Sequence, residues 1–399
     1  MTAPASRAFR PRSGTDSRAG GRGSSRRRQR SPDEYVERGG EVVARHPFEA
    51  EHAKLYAFPI RADPIKLGQL CDRMFTGPTQ GRLDLDPLLD YVVLTFADIS
   101  AIRSSELPDL NLGYADEREA ALWVPLVERA TGRVMWTIAY MFVNRVAAVL
   151  GGREIYGFPK QFADIGLWSP GDDDPGQAAG EANRRFSVTT ETLREFKSTS
   201  KLCPHTLLTL EPSDPEEAMA PPEDVPGQGL VAPAPNRRRS WGADACRAAA
   251  HVVDRSTTDP GSNDSLTNGT QRLAVLDSLS RQGKGLAQAP DDLRAAVHLF
   301  GQLATGSVPL ILLKQFRDVV DPTRACYQAV VEIPENLLHL HGGGWLPQRW
   351  RLTIDDLDGV PLYRDLGLPT TETDYEGPAF WLDFDFRIGR GSVLWESQG

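Results

Sequence analysis

Residues 380–388 read FWLDFDFRI. Leu382, Phe384 and Phe386 alternate with Asp383, Asp385 and Arg387, the period-2 pattern of a strand with one face buried and the other wet. Similar runs recur along the chain. Tyr91–Ile102, Ala121–Glu128, Val134–Val143, Arg185–Thr192, Val308–Phe316, Cys326–Ile333 and Trp350–Ile354 are rich in β-branched and aromatic residues. They follow one another without regular intervening helices. Neighbouring parallel strands need a long, usually helical crossover, so an antiparallel sheet or barrel is expected rather than a doubly wound α/β fold.

Helices are expected only at the periphery. Asp63-Pro64 combines an N-cap residue with proline at the first helical position, and Ile65, Leu67, Leu70, Cys71 and Met74 follow at roughly helical spacing. Order is expected from about His46. Before it, residues 1–45 are rich in Arg, Ser and Gly and lack apolar periodicity, so they read as a disordered tail. The first thirty residues hold nine arginines and one acid, Asp16, while the whole chain carries a net charge of −9. The remainder is therefore strongly acidic, which argues against nucleic-acid binding by the folded body. The RRRQR run reads as a solvated tail; its functional alternative is contact with RNA, membrane or an acidic partner. Residues 211–240 contain seven prolines and read as a linker or exposed loop. Arg272–Leu279 and Asp292–Leu303 carry helical spacing, with Asp291 or Asp292 as the cap.

Several function classes are set aside. The longest apolar run, Val134–Leu150, is interrupted by Asn144 and Arg145, so no membrane span is expected. No secretory leader is read at the N-terminus. Cys71, Cys203, Cys246 and Cys326 form no C-x-x-C pair, which fits free thiols in a reducing cytoplasm better than a disulfide framework or zinc knuckle. HGGG at His341–Gly344 resembles the oxyanion loop of esterases. The G-x-S-x-G elbow that should accompany it is absent, so a glycine-rich turn between strands is expected. His339 and His341 share a strand face as two candidate metal ligands. No third ligand is evident in the sequence, and no metal site is assigned. Asp355–Gly359 reads as a turn.

One lysine stands apart. In GGREIYGFPKQF, residues 151–162, Lys160 follows Pro159 among Tyr156, Phe158 and Phe162. A lysine beside aromatic residues is usually exposed. When it is buried, desolvation favours the neutral amine, which can condense with a ketone to a protonated imine. The imine then accepts the electron pair released when a β-carboxylate leaves as CO₂ or a proton leaves the α carbon.

The segment GGREIYGFPK closely resembles the motif of the acetoacetate decarboxylase family, in which G-R-E and then aromatic-Pro-Lys carry the Schiff-base lysine. Acetoacetate decarboxylase is itself a standard example of an activated lysine. The resemblance implies an α+β fold, mainly antiparallel, with a β-barrel or sheet core and peripheral helices. It makes Lys160 the imine-forming residue, with Arg153 and Glu154 holding the turn and Tyr156 and Phe158 excluding water. Tyr114 and EAALWVPL, from Glu119 to Leu126, match the family further and make Glu119 a second catalytic residue. Leu55–Phe75, Ala325–Ile333, the Trp345-Leu346-Pro347 turn and Trp350–Ile354 extend the likeness. The family domain is then 46–210 with 306–399, and 211–305 is an insertion.

This sequence departs from the family pattern at three points. The lysine expected directly after Lys160 is Gln161. The glutamate expected near Thr95–Asp98 is replaced at best by Asp98. The arginine expected near Ala53–Lys54 is replaced by Lys54 or Arg61. The resemblance implies a cytoplasmic, cofactor-free lyase of a small keto acid, assembled as a homo-oligomer, with β-keto acid decarboxylation as the first expectation. An imine-dependent aldolase or dehydratase is the alternative. The lost lysine and glutamate support a third reading, a non-catalytic ligand- or partner-binding member.

Overall fold

The computed structural model describes residues 35–36, 44–167, 185–213, 309–346, 349–370 and 372–397, with 376 and 378 left out. The rest of the expected tail, beyond residues 35–36 and 44–45, and the Pro-rich linker and insertion with its helices beyond residue 213, lie outside the described residues; a strand continues to Pro212. Apart from 35–36, the described residues belong to one unit, Val42–Gly399.

Its strands are β1 Phe48–Arg61, β2 Leu85–Pro87, β3 Tyr91–Ser104, β4 Ala115–Glu128, β5 Val134–Val143, β6 Lys160–Phe162, β7 Asp164–Gly166, β8 Phe186–Thr192, β9 Cys203–Pro212, β10 Leu310–Arg317, β11 Ala325–Ile333, β12 Glu335–Leu346, β13 Trp350–Ile354, β14 Thr373–Tyr375, β15 Ala379–Ile388 and β16 Ser392–Glu396. The larger sheet has the order β12-β15-β1-β3-β4-β5-β10-β11-β16, with β2 added on β4 and β6 on β5; the smaller has β14-β13-β9-β8-β7. Pairing is antiparallel except where β10 and β6 join β5. The expected mainly antiparallel α+β architecture is what the chain adopts. The barrel alternative is not: among the described residues the order is an open path, and its end strands β12 and β16 do not pair to close it.

The centre of the larger sheet is buried on both faces. One face meets the smaller sheet through a cluster of rings, in which Phe58 lies 5.3 Å from Trp350 edge-on and Phe96 lies 4.8 Å from Phe186. The other face gathers Leu55, Trp123, Trp136, Leu312, Val331 and Leu382 into a second core. Strands far apart in the order share this core, so the sheet curves around it. Along β1, Tyr56, Phe58 and Ile60 enter the first core while Leu55 and Ala57 enter the second. A strand buried on both faces loses the polar alternation that would announce it.

Helix α1, Pro64–Cys71, forms where the sequence placed it: the Asp63 carboxylate accepts hydrogen bonds from the Ile65 and Lys66 backbone N–H groups at 2.9 and 3.4 Å. Asp63→Ala should lower stability by about 1 kcal/mol and Asp63→Asn by much less, as urea unfolding would read out. Among the described residues two further α-helices are short, α2 Val146–Gly151 and α3 Leu362–Leu366. No helix among the described residues is long and apolar enough to cross a membrane. Cys71, Cys203 and Cys326 are free thiols.

The HGGG segment is corrected by the structure. It is not a turn but part of β12: Gly342, Gly343 and Gly344 pair with Asp383, Leu382 and Trp381 of β15, past a bulge at His341. A Cβ on Gly343 would meet the Leu382 side chain at 2.7 Å, so these glycines admit a close cross-strand approach. Residues 355–359 do form a turn, closed by a bridge between Leu357 and Val360.

Candidate active site

Lys160 reaches its position through three local features of GGREIYGFPK. Helix α2 widens at Gly152–Tyr156 into a π-helical turn, a distortion that tends to occur at functional sites. Gly157 then reverses the chain with φ +80°, and a Cβ there would lie 2.6 Å from the Lys314 backbone; both the left-handed conformation and the contact require glycine. Phe158-Pro159 leads into β6, where Lys160 stands opposite Met141 of β5. The Arg153 guanidinium donates a hydrogen bond to the Lys160 carbonyl at 3.2 Å, fixing the strand behind the amine.

Gly152 lies against the lysine itself. A Cβ on it would stand 2.7 Å from Lys160 Cδ. Gly152→Ala should therefore displace the side chain, and misplacement of a reacting group by about 1 Å can cost on the order of 100-fold in rate. Slower carbonyl labelling of Lys160 in a chain with unchanged unfolding would verify this; labelling at the wild-type rate would refute it.

The amine is buried. Lys160 is 8% exposed and Glu117 is 3% exposed, and Lys160 Nζ donates to Glu117 Oε1 at 2.7 Å. A buried charge is tolerated only when paired, and Glu117 supplies the partner. The Phe158 ring lies 5.6 Å from the nitrogen.

Around this pair lies a cavity of about 80 Å³ whose other walls are mostly apolar, among them Leu55, Trp123, Met141, Leu382 and Phe384. At about 10–15 Å³ per water-sized group it holds roughly five to eight such groups, the size of a short keto acid. Glu119 and Glu335 face the same cavity. Both keep some surface toward it, yet protein atoms surround their carboxyl groups. Desolvation, reinforced by the charge of Glu117 and opposed by Lys160, pushes Glu119 up to about 8. Desolvation, again opposed by Lys160, pushes Glu335 up to about 7. The cavity therefore joins an amine–carboxylate pair to two carboxyl groups that hold protons near neutral pH.

A second lobe of about 140 Å³ opens on the other side of Lys160 and Glu117, lined by Tyr114, Arg103 and Arg145 among others. Arg103 pairs with Glu51 at 2.5 Å and Arg145 pairs with Asp116. Tyr114 is exposed.

The other residues singled out from the sequence are dispersed. Tyr156 is buried, donates from its hydroxyl to the Gly389 carbonyl at 3.0 Å and packs edge-on against Phe158; it walls the second lobe. Glu154 acts on Lys314, whose pKa desolvation lowers and the Glu154 charge raises. Gln161 follows Lys160 on β6, where successive side chains face opposite ways, and it does not line the inner cavity. Asp98 lies outside the cavity, 3.6 Å from Arg118, although its neighbours Ala97 and Ile99 line it. Arg61 pairs with Asp90 at 2.9 Å, six residues along β1 from cavity-lining Leu55 and so roughly 20 Å away. Lys54 is exposed and also absent from the lining. Asp98, Arg61 and Lys54 all lie outside the inner cavity.

Two cavity residues escaped the sequence reading. Glu117 stands two positions before Glu119 on β4, and period 2 places both on one face; that signal was present. Glu335 follows Pro334 at the start of β12 and has no local signal.

Residues 84–208 match the family model described as acetoacetate decarboxylase (ADC). No curated protein sequence matches the chain. Among solved structures, the chain is similar to acetoacetate decarboxylase from Legionella pneumophila subsp. pneumophila str. Philadelphia 1, at 12% identity and TM-score 0.49, over 92% of this chain and 94% of that one. An acetoacetate decarboxylase-like enzyme from Sphingomonas wittichii RW1 is similar at 13% identity and TM-score 0.46, over 88% and 94%. The enduracididine biosynthesis enzyme MppR complexed with pyruvate is similar at 13% identity and TM-score 0.46, over 90% and 93%. The span that matches the acetoacetate decarboxylase (ADC) family model, residues 84–208, holds the GREIYGFPK segment with Lys160, together with Glu117 and Glu119.

Proposed function

We propose that this protein is a Schiff-base-forming lyase of a small keto acid, with the imine on Lys160. The observation that carries this reading is the buried Lys160–Glu117 pair set in the wall of an otherwise apolar cavity. Proton transfer from the ammonium to Glu117 along their 2.7 Å hydrogen bond leaves a free amine. Its lone pair attacks the substrate carbonyl carbon. A protonated carboxyl, Glu119 or Glu335, gives its proton to the carbinolamine hydroxyl, which leaves as water and yields the iminium. In a β-keto acid the bond to the carboxylate then breaks, CO₂ departs, and its electron pair moves into the iminium to form an enamine. Protonation of the enamine carbon and hydrolysis release the ketone and regenerate the amine. The imine is the electron sink, so the reaction draws on no cofactor.

An imine-dependent aldolase or dehydratase is a second reading. It is favoured by the pairing of two proton-holding acids, Glu119 and Glu335, in one cavity, since expelling a hydroxyl group and forming a carbon–carbon bond at the enamine both need placed protons.

Borohydride reduction tests the proposal. The chain incubated with acetoacetate, pyruvate or a longer keto acid and then reduced should gain the mass of the reduced adduct on the peptide containing Lys160. Release of CO₂ with acetoacetate would select the decarboxylase. Adducts with pyruvate and no CO₂ release would select aldol or dehydration chemistry. No adduct with any of the panel would overturn the enzymatic reading and leave a ligand-binding member of the family.

A further inference from the structure

The strand that floors the cavity carries a second constellation on its reverse side. Leu382, Phe384 and Phe386 of β15 line the cavity, so Asp383 and Asp385 project from the other face of the sheet. Both neighbours of β15 are bulged where they pass these acids. In β1 the register with β15 slips between Ala50 and Ala53, and in β12 it slips between Leu340 and Gly342. The residues displaced by the bulges include His52 and His341, respectively. Bulges commonly re-aim a side chain beside a site. Here they aim two imidazoles, from opposite sides, over the acids of the strand between them.

The resulting geometry is close. The His52 and His341 rings stack with centroids 4.3 Å apart. His341 Nε2 lies 2.9 Å from Asp385 Oδ1, and the His52 backbone N–H donates to the same oxygen at 2.8 Å, holding that carboxylate in place. One donor atom each from His52, His341 and Asp385 lies within 4.8 Å of the others. Asp383 adds a separate observation. Its Oδ1 is closed off from solvent and has no hydrogen-bond partner, and it faces His52 Nδ1 at 3.5 Å.

We propose that His52, His341 and Asp385 bind one divalent first-row transition ion, of which Zn²⁺ is the probe. Two imidazoles and a carboxylate form a donor set suited to such ions. Tetrahedral donors ~2.0–2.1 Å from Zn²⁺ stand roughly 3.3 Å apart, so small rotations of the three side chains would bring them around one ion. Asp383 is placed to become a fourth ligand or to accept a hydrogen bond from metal-bound water. Solvent reaches the open side, since the His52 and His341 side chains are 60% and 30% exposed. An ion here would tie β12, β15 and β1 together across both bulges, directly behind the cavity floor.

The test uses the full, untagged chain after chelator treatment. Zn²⁺ titration by calorimetry should show one ion bound per chain, and Co²⁺ should give the visible absorption of a four- or five-coordinate site. His341→Ala and His52→Gln should each weaken binding by more than about 100-fold and abolish the Co²⁺ spectrum, while carbonyl labelling of Lys160 in those variants stays at the wild-type level. No stoichiometric uptake by the wild-type chain, or equal uptake by the wild type and both variants, would overturn the site and leave a surface histidine–aspartate hydrogen-bond network.

Discussion

Replacing Lys160 with methionine is expected to abolish borohydride-dependent labelling by every keto acid that labels the wild-type chain, and all turnover with it. Among the described residues no second amine lines the inner cavity, so none of them can take over the imine. The same substitution carries a stability cost that arises from the pairing with Glu117. Glu117 is 3% exposed, and removing one member of a buried pair leaves an uncompensated charge, at about 3–5 kcal/mol. Lys160→Met should therefore unfold at a clearly lower urea concentration. Adding Glu117→Leu should recover most of that stability without recovering labelling, because a well-packed apolar pair can replace a buried ion pair with little loss. Labelling or turnover that survives in Lys160→Met would disprove the assignment of the amine. An unchanged urea midpoint would disprove the buried pair.

Glu119→Gln should slow turnover by ~10²–10⁴-fold, the usual contribution of a placed proton donor, while Lys160 can still be trapped at long incubation. Its pH dependence is distinctive. Loss of the Glu119 proton near 8 and of the Glu335 proton near 7 should produce an alkaline fall in rate. In Glu119→Gln only the step near 7 should remain. Stability depends on the same group. The folded value of about 8 lies above the ordinary 4.5, so between these limits the folded chain binds the extra proton. The stabilising contribution is complete below about 4.5 and is lost as pH rises through about 8. Urea midpoints of Glu119→Gln minus wild type should consequently drift in favour of the variant across that window. A rate and an alkaline limb identical to wild type would make Glu119 a wall residue and not a proton donor.

Much of the architecture is legible in the sequence because the relevant signals are local. Trp350–Ile354 and Val134–Val143 have the same bounds in the sequence pattern and in the fold, since period 2 and β-branched content are properties of consecutive residues. The α1 start is legible because a cap acts over three residues. β1 and β12 are not. β1 is buried on both faces, and three consecutive glycines in β12 carry no strand propensity of their own. The lysine is legible from its motif, and Glu117 is within reach of a period-2 argument from Glu119. Asp98 and Arg61 rest on approximate position in a divergent family, and position to within a few residues cannot say which face of a strand a side chain takes.

The sequence alone determined that the chain forms antiparallel strands and that a lysine follows an aromatic-Pro turn. Alternation, capping and glycine content act between near neighbours and need no knowledge of the rest of the molecule. Only the tertiary structure decided that Glu117 pairs with the amine, that Glu335 joins Glu119 across the cavity, and that His52 and His341 converge on Asp385. Those meetings depend on strand order, register and bulges, and a one-residue slip in register turns every side chain of a strand to its opposite face.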